Sequence, residues 1–147
     1  MPLQTAAGCP FSAYTIKKCS SGSGYATALK IWRPLAKQGN VSAQFNLGTM
    51  YVEGKGLQKD YAEAVRWFRK AAEQGHAAAQ FNLGGAYLNG WGMPENQTLA
   101  LMWLTIAKAH GHENATTAIS VVTQSMGSEQ ITEAEHMARD WMAKHQP

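Results

Sequence analysis

Cysteine is almost missing from this chain: 147 residues contain only Cys9 and Cys19. Two thiols are too few for a disulfide scaffold or for a zinc site of their own. They either pair in an oxidising compartment or stand as separate thiols. Long apolar runs are missing as well. No stretch approaches the ~18 consecutive apolar residues that a membrane-spanning helix requires, so no membrane span is expected. The first 24 residues lack the hydrophobic run of a secretory signal, and Lys17 and Lys18 follow their mildly apolar part. Charge is sparse at 16%, but hydrophobic residues reach 45%, which is the composition of a folded chain rather than a disordered one. At 16.0 kDa the size is that of one domain with a real core. Dense Arg/Lys runs are absent, which argues against nucleic acid as a partner.

Catalytic signatures are equally scarce. No Ser is followed three residues on by Lys, and neither G-x-S-x-G nor H-E-x-x-H occurs. Glu53, Asp60 and Glu63 lie near one another, but Asp60 and Glu63 flank a helix start, where acids favour the helix dipole. The run His110-Gly111-His112-Glu113 spaces its ligands poorly for a closed metal site and reads as a solvated helix connection. The chain is therefore read as a non-enzyme with no metal and no cofactor. Its charge is unevenly placed, with ten Lys/Arg against three Asp/Glu in residues 1–70 and three against seven in 71–147. That asymmetry suits an acidic protein partner for the N-terminal half.

What the chain does have is repetition. Ala-Gln-Phe-Asn-Leu-Gly occurs at Ala43–Gly48 and again at Ala79–Gly84. Sliding the sequence by 36 residues lays Tyr25–Asp60 over Tyr61–Asn96 with 16 identities. A third, decayed copy starts at Gln97 and keeps Ala100, Trp103, Ala107, Gly111 and Ala115, but has Ser120 and Thr123 where the earlier copies have Gly and Tyr. A period of this length belongs to stacked-repeat architectures.

Within a unit the spacing is helical. Tyr61, Ala64, Val65, Phe68, Ala71 and Ala72 form one apolar stripe, closed by Gln74-Gly75. β-branched alternation is absent, so no sheet is expected. Seven helices are predicted, at about 25–38, 41–53, 60–74, 77–89, 97–110, 113–125 and 129–144. Two features oppose propensity. Gly48 and Gly84 sit mid-helix, at a cost of roughly 1 kcal/mol against Ala, which implies close helix approach. Pro34 lies inside the first helix, which should bend there or start late. The Gly-x-Gly stretches lack the strand–loop–helix setting of a phosphate cradle and read as turns. Asn40, Asn96 and Asn114 open formal glycosylation sequons, but helix capping explains their positions equally well.

These residues resemble the Sel-one-like repeat (SLR) family, relatives of the tetratricopeptide repeats. The pattern runs through Ala43, Leu47-Gly48, Tyr51, Gly54-Lys55-Gly56, Asp60, Ala64, Trp67-Phe68 and Ala71-Ala72-Glu73-Gln74-Gly75. It returns as Ala79, Leu83-Gly84, Tyr87, Gly90-Trp91-Gly92, Ala100, Trp103 and Ala107. The resemblance covers about 25–144, with 1–24 as a flexible N-terminal segment and 129–144 as a closing helix. It implies an all-α, α/α superhelical solenoid of antiparallel helix pairs, a bacterial source, and an adaptor role in binding other proteins. Members are often secreted or periplasmic and usually open with a complete helix pair. Here the helix at 25–38 has no evident partner, which leaves an end through which the chain could self-associate into assemblies. Some cysteine-rich relatives have been linked to β-lactam binding or hydrolysis, but the residues that carry it are not in this sequence.

By analogy with tetratricopeptide geometry, residues 41–53, 77–89 and 113–125 would line a concave face for a protein or peptide segment. Ser42, Phe45, Thr49 and Val52 would point inward from the first copy, and Ala78, Phe81, Gly85 and Leu88 from the second. Phe45 and Phe81 are either anchors for a partner or core rings. Asn46 and Asn82 either hold a partner's backbone or tie neighbouring helices together. Tyr51, Trp67, Tyr87 and Trp103 have the pattern of core aromatics. Trp91, between two loop glycines, is either a contact residue or a packed one.

Overall fold

A computed structural model describes residues 22–145. The cysteines lie outside the described residues, as does most of the N-terminal segment on which the self-association reading depends. Seven helices and no strands are present among the described residues: α1 (Gly22–Lys37), α2 (Val41–Glu53), α3 (Tyr61–Glu73), α4 (Ala77–Asn89), α5 (Gln97–Ala109), α6 (Ala115–Thr123) and α7 (Ser128–Lys144). The fold is all-α, of the α/α solenoid class.

The helices fall where the 3.6-residue period of the apolar positions puts them, with three informative differences. α1 starts earlier than predicted, at Gly22, and runs through Pro34 instead of starting late. Pro34 stands in the last turn, where its missing N–H takes one helical donor from the Lys30 carbonyl but only three helical residues follow that a kink could redirect; the Pro34 carbonyl still accepts from Gln38 N–H at 3.0 Å. α6 is shorter than predicted, nine residues at Ala115–Thr123, because Asn114 forms no side-chain cap.

Two compact units divide the chain at Trp67/Phe68, within α3. In the first, α1 packs on α2. Its core joins Ala28, Leu29, Trp32 and Ala36 to Ala43, Leu47 and Met50, with Tyr25, Tyr51, Leu57 and Trp67 at the margin. The small residues let the two helices approach, and the larger ones fill the seam.

In the second unit α5 is the central element, packed by α4, α6 and α7. Its buried run is nearly continuous, from Ala100 through Leu104 and on to Ile106 and Ala107, so it lacks the solvent face of an ordinary surface helix. Leu101 and Leu104 meet Val122 of α6 and Ala134 of α7. Gly84 of α4 is what permits the approach of α5. A Cβ there would stand 2.9 Å from Leu104 Cγ and 3.2 Å from the Ala100 carbonyl oxygen. The mid-helix glycine is thus explained by a contact.

The Gly-x-Gly turns end α2 and α4 alike. Gly54 and Gly90 take left-handed φ of 68° and 67°, and their N–H groups bond back to Met50 O and Ala86 O. Both turns then close by one further bond, Asp60 N–H to Tyr51 O at 3.0 Å and Asn96 N–H to Tyr87 O at 2.9 Å.

Candidate functional site

The repeated hexapeptide occupies the middle of α2 and of α4, and its letters divide the same way in both. Ala43, Gln44, Leu47 and Gly48 are buried, as are Ala79, Gln80, Leu83 and Gly84. Phe45, Asn46, Phe81 and Asn82 are half-buried. A helix turns 100° per residue, so the first two and last two letters share the packed face and the middle pair lies to one side.

Glutamine is the letter that sequence reasoning missed. Gln44 Nε2 donates to Ala36 O at 3.0 Å, and Gln80 Nε2 donates to Ala72 O at 3.0 Å. Each reaches eight residues back to a carbonyl at the C-terminal end of the preceding helix, where the backbone runs out of intrahelical donors. Each carbonyl also accepts a backbone N–H, from Gly39 at 3.1 Å and from Gly75 at 3.0 Å, so the amide adds a second bond that ties the two helices. Gln80 is 0% exposed, and its Oε1 faces His110 Nδ1 at 2.9 Å. The tie between neighbouring helices therefore belongs to Gln44 and Gln80. Asn46 and Asn82, expected as one alternative to fill that role, make no side-chain hydrogen bond among the described residues. The signal was available, since Gln44 lies at i, i+3 and i+4 with Leu47 and Gly48 on a buried stripe.

The remaining candidates sort by environment. Thr49 is half-buried and its hydroxyl donates back to Phe45 O at 3.0 Å. Val52 and Leu88 are half-buried, and so is Trp91, whose N–H bonds to Ala86 O. Gly85 has open space where its Cβ would be, in contrast to the neighbouring Gly84. Phe81 and Leu88 pack against the Leu101–Leu104–Val122–Ala134 cluster, and the Phe81 ring stacks on His112 with centroids 4.3 Å apart. Part of Phe81 is thus spent within its own unit. Of the expected core aromatics, Tyr87 and Trp103 are buried, whereas Tyr51 and Trp67 are half-buried.

The run His110–Glu113 is a helix connection with His110, Gly111 and Glu113 exposed, as read from sequence, but its two histidines are also engaged. Besides meeting Gln80, His110 lies edge-on to Trp141 at 6.3 Å. His112 Nδ1 is buried with no hydrogen-bond partner among the described residues. The repeat explains why. Asn40, His76 and His112 stand 36 residues apart, and in the first two copies the side chain caps the helix that follows. Ala43 N–H donates to Asn40 Oδ1 at 2.9 Å, and Ala79 N–H donates to His76 Nδ1 at 3.1 Å. In the third copy α6 starts later and Ala115 N–H turns to the His112 carbonyl instead. Burial holds the His76 imidazole below its ordinary pKa of 6.5, which suits a nitrogen that must stay unprotonated to accept. Asn96 caps α5 in the same way, through Leu99 N–H at 3.0 Å.

No group of three or more His, Cys, Asp or Glu able to hold a metal ion occurs among the described residues. No described helix is long and apolar enough to cross a membrane.

Known proteins agree with this geometry. The Sel1 repeat family matches residues 41–76 and 77–112, which are the α2–α3 and α4–α5 pairs with their turns. The chain is similar to a protective antigen present in uropathogenic Escherichia coli strains that displays an SLR fold, with 30% identity and a TM-score of 0.85. That match covers 90% of this chain and 29% of the antigen. A Sel1 repeat protein from Oxalobacter formigenes matches with 32% identity and a TM-score of 0.70, over 90% of this chain and 56% of that one. This chain thus spans under two thirds of either relative. No curated protein matches the sequence. Sel1 repeat proteins generally mediate protein–protein interaction, and their fold is typically a non-enzymatic scaffold. The two matched repeats, with the glutamine ties, glycine contact and Gly-x-Gly turns that build them, place the chain in the Sel1-like repeat family.

Proposed function

We propose that this chain is a protein-interaction module whose helices α2 and α4 each present a contact strip to a partner segment. In the first unit the strip carries Phe45, Asn46, Thr49 and Val52. In the second it carries Phe81, Asn82, Gly85 and Leu88, with Trp91 in the adjoining turn. The observation that carries the reading is the division of the hexapeptide. Ala, Gln, Leu and Gly are buried in both copies, and the two letters left half-exposed at the side are an aromatic and an amide, the Phe81 ring being partly engaged within its unit.

The chemistry suits a peptide. A carboxamide offers one acceptor and two donors, which matches the backbone of an extended segment. The half-exposed rings add apolar area at small conformational cost. Asn46 and Asn82 are the sharper probes, because their amides take no part in internal hydrogen bonds among the described residues.

Peptides selected against the folded chain from a random display library supply the ligand for the test. The Asn46→Ala/Asn82→Ala double variant should bind a selected peptide about tenfold more weakly, which is ~1.4 kcal/mol, with an unchanged melting temperature. Phe45→Ala should also lose affinity while melting normally. Unchanged affinity in the asparagine double variant, or selected peptides that bind through other faces, would overturn the reading.

A further inference from the structure

A second surface, on a different face of α2, is built from charge. Between α1, α2 and the start of α3 lies a groove of about 380 Å³. Its floor is the buried Leu47, its walls include Tyr51 and Trp67, and Arg33, Lys37 and Arg66 stand around it with Glu63. Leu47 and Tyr51 lie on the opposite side of α2 from Phe45, Thr49 and Val52, so the groove is separate from the strip described above.

The charges in it do not cancel. Glu63 is paired with Arg66 one turn along α3. Arg33 and Lys37 are exposed and make no ion pair or side-chain hydrogen bond among the described residues. They sit at i and i+4 on α1, a spacing at which like charges repel by a few tenths of a kcal/mol. The 21 residues that precede α1 add Lys17 and Lys18 and contain no Asp or Glu, so they offer no counter-charge.

The second copy shows what a closed version of this place looks like. Arg69 stands 36 residues after Arg33, and its Nη2 donates to the Tyr87 hydroxyl at 2.8 Å with the guanidinium 5.8 Å from the ring centroid. In the first copy the corresponding pair is Arg33 and Tyr51, and no such bond joins them. The other charges also disappear: Lys37, Glu63 and Arg66 correspond to Glu73, Leu99 and Met102. Among the described residues, the first copy keeps in this groove two cations without an ion pair beside aromatic walls, where the second copy has a tied arginine.

We infer that this groove binds an acidic peptide segment, with a carboxylate held by Arg33 and Lys37 and a neighbouring apolar side chain lying on Tyr51 and Trp67. An arginine fork takes a carboxylate in bidentate fashion, and the lysine adds a point charge. Acidic protein is favoured over nucleic acid because the cations form one cluster and do not track an extended backbone.

The probe is a rhodamine-labelled octapeptide of alternating Glu and Leu, read by fluorescence anisotropy against the full chain. Wild type should bind it, more weakly as salt rises. Replacing each Glu by Gln in the peptide should abolish binding. Arg33→Glu/Lys37→Glu should lower affinity by about tenfold or more, and the milder Arg33→Gln/Lys37→Gln by less. Both positions are exposed, so melting temperatures should stay near wild type. Asn46→Ala/Asn82→Ala should leave this binding intact, which separates failure here from failure of the interaction strip. The inference is overturned if the acidic peptide does not bind, if the Gln peptide binds equally well, or if the charge-reversed variant binds like wild type. It is overturned in favour of phosphate recognition if a labelled oligothymidylate binds more tightly and is lost in the same variant.

Discussion

Helices α2 and α4 share six consecutive letters and yet live in different surroundings. What they have in common points backward along the chain: Gln44 bonds Ala36 O and Gln80 bonds Ala72 O, at the same distance and the same separation. Within its unit α4 also meets Leu104 at Gly84, His110 at Gln80 and His112 at Phe81. A difference between the two copies stands at the arginine of the preceding helix. α2 borders a groove in which Arg33 makes no ion pair or side-chain hydrogen bond among the described residues, whereas the Arg69 that corresponds to it is tied to Tyr87. The repeat letters therefore secure each helix to the one before it, and the variable letters decide which surfaces remain open.

The sharpest way to break the close contact of the second unit is Gly84→Val. Branched carbon atoms would enter space already held by Leu104 and the Ala100 carbonyl, and overpacking of that kind costs about 3 kcal/mol. The expected outcome is a large fall in the urea midpoint. Gly85→Ala, one residue away, meets open space and should instead stabilise by about 1 kcal/mol through helix propensity. Opposite signs at adjacent glycines would confirm that contact, not conformation, explains Gly84.

A smaller effect is expected from the glutamine tie. Gln80→Met keeps the length and the apolar stem but removes the side-chain donor to Ala72 O, which retains the Gly75 N–H bond, at a cost of about 1 kcal/mol. Combined with His110→Ala, the loss should be less than additive, because both residues belong to one hydrogen-bonded pair. Chemical denaturation of the two single variants and the double variant measures it.

The smallest effect is a pH dependence that compares the caps of the two copies. His76 must be neutral for its Nδ1 to accept from Ala79 N–H, and burial lowers its pKa in the folded chain. The unfolded chain therefore binds more protons over that range. The stabilisation is complete above pH 6.5, the ordinary value, and is lost as pH falls through the lowered one. His76→Asn installs the residue that caps α2 as Asn40, so its melting temperature should fall less than that of wild type on acidification. Parallel curves for the two proteins would count against the cap as a source of pH sensitivity.

Much of the architecture was legible because helix formation and repetition are local matters. Apolar residues at 3.6-residue spacing, Gln-Gly and Gly-x-Gly endings and the 36-residue frame located all seven helices to within a few residues. The largest differences were at α1, which starts three residues earlier, and at α6, where Asn114 promised a cap that its side chain does not form. The candidate strip was legible in part. Phe45 and Phe81 stood out as the ambiguous letters, and both are half-buried, but the hexapeptide's Gln was passed over, because a polar residue on a buried stripe has meaning only once its carbonyl partner is seen. The histidines of the third copy were read as solvated for a similar reason: stacking on Phe81 and pairing with Gln80 join residues about thirty positions apart.

By itself the sequence determined the helices, their order, most of their ends and the family. These follow from periodicity and from backbone conformations that a few residue types favour. Only the tertiary structure decided which of two adjacent glycines is needed, which amide holds the helices together and which arginine is tied to a tyrosine. Each of those outcomes depends on what stands across a packed interface, and no spacing along one chain segment records it.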